Sequence, residues 1–321
     1  MNNHKKNSQL WIKNTLKITL VILSIVIVVN YINDPLWVFN HQNFSNKTQL
    51  GFNERQQKTN RIYFDDKNYD SILLGNSKVT YINQNNFKKG RLFNYAVSAM
   101  NIDEYDGYID FFKEVTKKAP KYILLGIDFN SCLKNTKIHS YQAPEFYINN
   151  SKSALYKFKH LLSYSTFMHS IRNLTKFLDK KKAIYNNENV KIKVGFKKQH
   201  PENYEPNLEK IIKNIKVTYP DAIYNKKLIE SFKKIKNNNQ ASKIIAIFLP
   251  DLFPYFTINK NRNRNIYERC LSDATQIFGA KNIFNFMKMD KVTANVNNYY
   301  DGSHFRDYIG DLILQKISEN L

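Results

Sequence analysis

The sequence predicts an α/β protein, with helices on both faces of a parallel sheet, preceded by one transmembrane helix. Three observations predict it. Beyond residue 70, short apolar runs alternate with segments of helical period, the pattern of strand–helix–strand units. Near the N-terminus stands an uncharged apolar stretch, ITLVILSIVIVV at 18–29. Finally, 42% of the 321 residues are hydrophobic and 14% aromatic, enough to fill a core and too many for a disordered chain.

The N-terminal elements come first. A basic tail, 1–15, precedes a span at 16–32, which is about the shortest length that crosses a bilayer as a helix. Lys5, Lys6, Lys13 and Lys17 lie before or at its start, and the next cation is Lys47. The positive-inside rule then predicts a single-pass protein of the bacterial cytoplasmic membrane. Its N-terminus would be inside and its C-terminal domain periplasmic or on the cell surface. The exit sequence Val29-Asn30-Tyr31-Ile32 offers no small-x-small cleavage site, so the segment reads as a signal anchor rather than a removed leader.

Charge invites another reading. Lys plus Arg number 49 against 27 Asp plus Glu, a net +22. The cations are mostly Lys, scattered along the chain among Asn, whereas nucleic-acid readers concentrate charge and favour Arg. With the domain outside the cytoplasm, no nucleic-acid partner is expected. The excess fits a solvated surface or affinity for anionic head groups and polymers. Two cysteines, Cys132 and Cys270, exclude a disulfide scaffold and a Cys-rich zinc module. The compartment permits a bond between them, but their spacing does not indicate one, so two separate thiols are the default expectation.

Along the domain, Pro35 ends the first helix and a polar juxtamembrane segment, 33–69, leads to the α/β domain at 70–321. Strands are expected at 71–75, 91–97, 121–127, 243–249 and 282–286, and helices at 103–119, 263–280 and from about 306. A Lys- and Asn-rich insertion at about 131–225 breaks the rhythm. It is expected to carry helices at 153–167 and 168–182 over the carboxyl edge of the sheet, where α/β folds bind their ligands.

Two motifs could carry chemistry. Gly75-Asn76-Ser77-Lys78 follows the first strand, where a serine serves either as a nucleophile or as a helix cap. Tyr299-Tyr300-Asp301-Gly302-Ser303-His304 places a carboxylate three residues before an imidazole, the base and orienter of a serine triad. Tyr299 and Tyr300 read as packing, and Asp251 as a loop cap. The seven histidines show no metal-ligand spacing, so neither a metal nor a cofactor is expected.

In their order, Asp34-Pro35, ILLGNSK, FNYAVSAM, ILLGIDF and YYDGSHF resemble the SGNH (GDSL-type) hydrolase superfamily. The likeness is closest to its membrane-anchored members of the DltD and AlgJ/AlgX type, which serve polysaccharide O-acylation, and covers 33–321 apart from the insertion. It implies an SGNH-type, flavodoxin-like three-layer sandwich with a parallel sheet. It also implies Ser77 as nucleophile, His304 as general base and acid, and Asp301 as the group orienting His304. The implied activity is that of an esterase or O-acyltransferase on envelope polysaccharide or a related polymer, its acyl donor delivered by a polytopic membrane acyltransferase. An inactive scaffold binding an anionic polymer or that partner is the alternative.

The oxyanion-hole candidates are Ser77, Ala99, Asp128 and Asn130, and three positions depart from the family pattern. Asn76 stands where Asp or Ser is usual, Ala99 where Gly is, and Asp128 where an Asn side chain donates. An ionised carboxylate cannot donate. A protonated Asp128, an inward Asn130, or a slow or inactive site each fits that change.

Overall fold

In the computed structural model the described residues are 2–321 except 66–67, 135–140, 179–181, 187–188, 195–212, 214–222, 254–256, 258–263 and 289. Five parallel strands form the central sheet: β2 (Ser71–Leu74), β3 (Leu92–Asn94), β4 (Tyr122–Ile127), β7 (Lys243–Phe248) and β8 (Ile283–Asn285). They are ordered β3-β2-β4-β7-β8. Counted by appearance within the sheet this is 2-1-3-4-5, one of the two common doubly wound orders.

The reason these runs become strands is burial on both sides, which parallel sheets require. Every residue of β2 and β4 is buried, and successive side chains alternate between two cores. Ile72, Leu74, Ile123, Leu125, Ile244 and Ala246 join one cluster, with α3 (Tyr105–Thr116), α7 (Lys226–Asn238) and α8 (Arg264–Phe278). Leu73, Leu124, Ile245 and Ile247 join the other, closed by Ile309, Ile313, Leu314 and Ile317 of α9 (Asp307–Glu319).

Two glycines admit a wedge between the first strands to pair. A Cβ on Gly75 would lie 2.2 Å, and on Gly126 2.4 Å, from Cγ2 of Val79. Val79 is fully buried and opens the 3-10 turn Val79–Tyr81, two residues after Ser77.

Segment 33–69 folds against the domain. Helix α2 (Glu54–Phe64) buries seven polar or charged residues, Arg55 through Arg61. They are tied by bonds such as Gln56 to Ser151 Oγ (2.9 Å) and Lys58 to the carbonyls of Asn94 (2.9 Å) and Asn189 (3.0 Å). The short strand β1 (Thr48–Leu50) pairs antiparallel with β5 (Lys182–Asn186), which pairs with β6 (Lys191–Val194). This second sheet joins the juxtamembrane segment to the insertion.

The insertion differs from its sequence reading. In place of two helices it holds α4 (Pro144–Lys152), α5 (Tyr156–Leu162) and α6 (Tyr164–Leu174). The break falls at Ser163, whose hydroxyl accepts the Thr166 N–H at 3.2 Å and caps α6, as Ser does at helix starts. Lys182 lies in β5 rather than a helix. The parts of the insertion at 135–140, 195–212 and 214–222 lie outside the described residues.

A second correction concerns the cysteines. Cys132 and Cys270 form a disulfide, with Cα atoms 5.9 Å apart across a sequence separation of 138. It joins the turn after β4 to α8. Sequence distance hid the pairing because only the sheet order brings these two elements together.

Helix α1 (Asn2–Asn33) contains the one stretch among the described residues long and apolar enough to cross a membrane, Lys6–Asn33, whose most apolar 18 residues have a mean hydropathy of 2.2. Its last turn is held by side chains. Asn30 and Asn33 are buried. Asn30 donates to the carbonyl of Leu161 (2.9 Å) and accepts from Ser170 (3.0 Å), and Asn173 donates to Asn33 Oδ1 (3.2 Å).

The Val79 wedge yields a test. Gly75→Ala should lower thermal stability, measured in detergent, by about 1–3 kcal/mol through overpacking. Adding Val79→Ala should return part of that loss, because the added methyl then has room.

Candidate functional site

The chain leaves β2 for β3 on one side and returns to β4 on the other, so the strand order reverses between β2 and β4. Open α/β sheets bind ligands outside the carboxyl ends of strands at that point. Ser77 lies three residues beyond β2, and Asp128 directly after β4.

Asn76 builds the turn that presents Ser77. Its side chain accepts the Lys78 N–H at 3.1 Å and its carbonyl the Val79 N–H at 3.0 Å. Opposite stands the loop 299–305, closed by the bridge between Tyr299 and Phe305 and by Tyr300 N–H donating to the His304 carbonyl at 2.8 Å. Buried Tyr299 and Phe305 pin its ends.

The two motifs meet here. Ser77 Oγ is 2.8 Å from His304 Nε2, and His304 Nδ1 is 2.9 and 3.0 Å from the two Asp301 oxygens. In a neutral imidazole with Nδ1–H donating to Asp301, Nε2 is free to accept the Ser77 proton. Asp301 also receives the N–H groups of Ser303 (3.0 Å) and His304 (2.7 Å). Burial opposes ionisation of Asp301, but the hydrogen bonds and charge of His304 outweigh it and hold the carboxyl well below the ordinary range. The group therefore orients the imidazole as an anion.

The oxyanion candidates separate. Val97 N–H donates to the Gly75 carbonyl at 3.2 Å, extending the β2–β3 register, and Ser77 and Ala99 each lie two residues further on. Neither Ser77 N–H nor Ala99 N–H donates to another group among the described residues. Ala99 holds φ +52°, a left-handed conformation that costs an alanine about 1–2 kcal/mol. A clamp keeps it there. Arg55 donates to the carbonyls of Ser98 (3.2 Å) and Ala99 (3.1 Å) and pairs with both oxygens of Glu104. Glu54 accepts the Ser98 N–H, and Lys191 bridges Glu54 (2.7 Å) and Ser98 Oγ (3.1 Å).

Asp128 works as an acceptor. Its carboxylate takes the Ser131 N–H at 2.9 Å, capping the 3-10 turn Phe129–Cys132, and lies 3.8 Å from Lys78 Nζ. Asn130 is half-buried within that turn, and its carbonyl accepts the Leu133 N–H at 3.1 Å.

Three neighbours of the triad had no functional reading in the sequence. Lys78, beside the serine, is buried and paired with buried Asp251. Burial pushes the Asp251 carboxyl up to about 6 against the pull of Lys78. Asp251 thus acts as a counter-ion behind Ser77, beyond the loop cap its position after β7 suggested. A Lys following the serine and an Asp shortly after β7 were the available signals. The third is Lys193 of β6, 3.4 Å from Asp301 Oδ2 and 4.9 Å from the Tyr300 ring. Together with Tyr81, whose ring lies 6.0 Å from that of His304, it edges the triad. Among the described residues no His, Cys, Asp or Glu cluster could hold a metal.

Removing one member of the buried ion pair should be worse than removing both. Asp251→Asn leaves buried Lys78 only the more distant Asp128 carboxylate, 3.8 Å away, and should cost about 3 kcal/mol in unfolding measurements, whereas the double change Lys78→Met with Asp251→Leu should cost less. No family model matches this chain, and no curated protein or solved structure is significantly similar to it.

Proposed function

We propose that this chain is a membrane-anchored, SGNH-like serine esterase or O-acyltransferase acting on cell-envelope polysaccharide or a related polymer. The observation that carries the reading is the continuous hydrogen-bonded line Ser77–His304–Asp301 at the carboxyl ends of β2 and β4. Side chains from two distant segments, Ser77 and the 301–304 loop, meet in the order that activates a hydroxyl.

In the proposed reaction, Ser77 Oγ attacks the donor's acyl carbonyl while His304 Nε2 takes its proton. The N–H groups of Ser77 and Ala99 would receive the developing oxyanion. Collapse breaks the donor's ester bond, and the imidazolium returns the proton to the departing alcohol. A sugar hydroxyl, or water, then attacks the acyl-serine by the same steps in reverse roles, releasing Ser77. Asp301 stays ionised and stabilises the imidazolium.

Location follows from chemistry of the same kind. The disulfide supports an oxidising compartment, since such bonds are rare in the cytosol. With the lysines in the first half of α1 it supports a single-pass protein whose N-terminus is inside and whose domain is outside. A polytopic membrane acyltransferase would be the partner supplying the acyl group.

One observation favours the second reading, a binding or scaffolding protein on the same fold. The Asp128 carboxylate accepts bonds where an oxyanion hole would gain a donor, and a missing donor costs on the order of 10²–10³ in rate.

A fluorophosphonate probe should label the purified full chain at Ser77, with labelling abolished in Ser77→Ala. In Asp301→Asn the rate should fall on the order of 10²–10⁴-fold through loss of the correct imidazole tautomer. Equal labelling of wild type and Ser77→Ala would overturn the catalytic reading. Full complementation of a deletion strain by both Ser77→Ala and His304→Ala would favour the scaffold.

A further inference from the structure

Helix α6 is built inside out for a water-facing helix. Its inward residues Thr166, Ser170 and Asn173 are polar and buried. Its outward residues include Tyr164 and Met168, and the connection that follows exposes Phe177 and Leu178. The adjoining α5 exposes Phe158 and Leu162. Phe158, Tyr164 and Phe177 are 65%, 76% and 73% exposed. A helix in water buries its apolar stripe and exposes its polar one. This arrangement suits a helix whose outer neighbour is lipid.

Its position in the fold names the occupant. Helices α5 and α6 pack on α1, and they meet it within the apolar stretch rather than beyond it. Val26, Ile27 and Val29 are partly covered, and Asn30 and Asn33 are buried. From Val26 to Asn33 is seven residues, about 10 Å along a helix. The apolar stretch 16–32 is about 25 Å long at that rise, short of a ~30 Å hydrocarbon core. Added apolar surface at the exit end fits that shortfall. The charge agrees, since 153–178 contains no Asp or Glu but holds Lys157, Lys159 and Arg172, while Lys176 turns inward to the Thr48 carbonyl. Long cationic side chains beside apolar ones reach anionic head groups while their stems lie in the acyl boundary.

We infer that α5, α6 and the connection to Phe177 and Leu178 form a lipid-binding surface, lying in the head-group boundary of the leaflet where α1 leaves the bilayer. The partner is the bilayer itself, with anionic lipid preferred. The inference rests on the reading of α1 as a membrane span and adds a second, in-plane contact to it. Such a contact would hold the domain against the bilayer instead of leaving it on a stalk.

The experiment uses the full chain in nanodiscs of mixed zwitterionic and anionic phospholipid. Single cysteines at Phe158→Cys, Tyr164→Cys and Phe177→Cys carry an environment-sensitive fluorophore, and the buried native disulfide stays intact. Val21→Cys reports the span, and Lys118→Cys reports the opposite edge of the sheet. Lipids bearing a nitroxide near the head group should quench the three test positions about threefold or more above Lys118, with iodide showing the reverse order. Lipid quenching at Val21 with only iodide quenching at the test positions would overturn the lipid surface and leave the anchor standing. Absence of lipid quenching at Val21 would overturn the anchor and the inference with it. Test positions shielded from both quenchers would mean a protein covers them, which also overturns it.

Discussion

Val79 lies against two strands at once. Its side chain occupies the space that Cβ atoms on Gly75 and Gly126 would need, so β2 and β4 can converge on it only because both positions lack side chains. The wedge sets where β2 ends and where the 3-10 turn begins, and Ser77 and Lys78 occupy the two residues before it. Lys78 is thereby directed inward to Asp251, and Ser77 toward His304. The strain at Ala99 is tolerated in the same way. Arg55, Glu54, Lys191 and Glu104 fix the loop around it from outside, and local strain persists only where surroundings over-determine it.

How much of this was legible in the sequence follows from what each element had to bury. Strands β2, β4 and β7 read as continuous apolar runs because a parallel sheet covers both their faces. The segment holding Ser77 was visible because turn residues follow β2, and the Asp301–His304 pair because a carboxylate stands three residues before an imidazole. Strands β1, β5 and β6 were not visible, being three to five residues long and rich in Lys or Gln. Their partners lie across the chain, and no local alternation marks them. Helix α2 was equally opaque. A run reading ERQQKTNR looks solvated, yet each buried amide and cation finds a partner among backbone carbonyls or neighbouring side chains.

The same limit applies to the site. Lys193 reaches Asp301 from β6, 108 residues away, so only the fold could disclose it. Asp251 was read as a cap because an Asp after a strand usually is one. Its partner Lys78 lies 173 residues earlier. Cys132 and Cys270 repeat the pattern. Each pairing joins parts of the chain that only the tertiary fold makes neighbours, and local periodicity carries no trace of them.

The hydrogen bonds of Asn30 and Asn33 have an angular consequence. A helix joined to a domain by a free linker can spin about its own axis without disturbing anything beyond it. Here Ser170, Asn173 and the carbonyl of Leu161 hold the last turn of α1, so its azimuth is geared to the domain. The stripe carrying Leu20, Ser24 and Val28 therefore points along one fixed bearing relative to α5 and α6, and turning α1 about its axis would have to break those bonds.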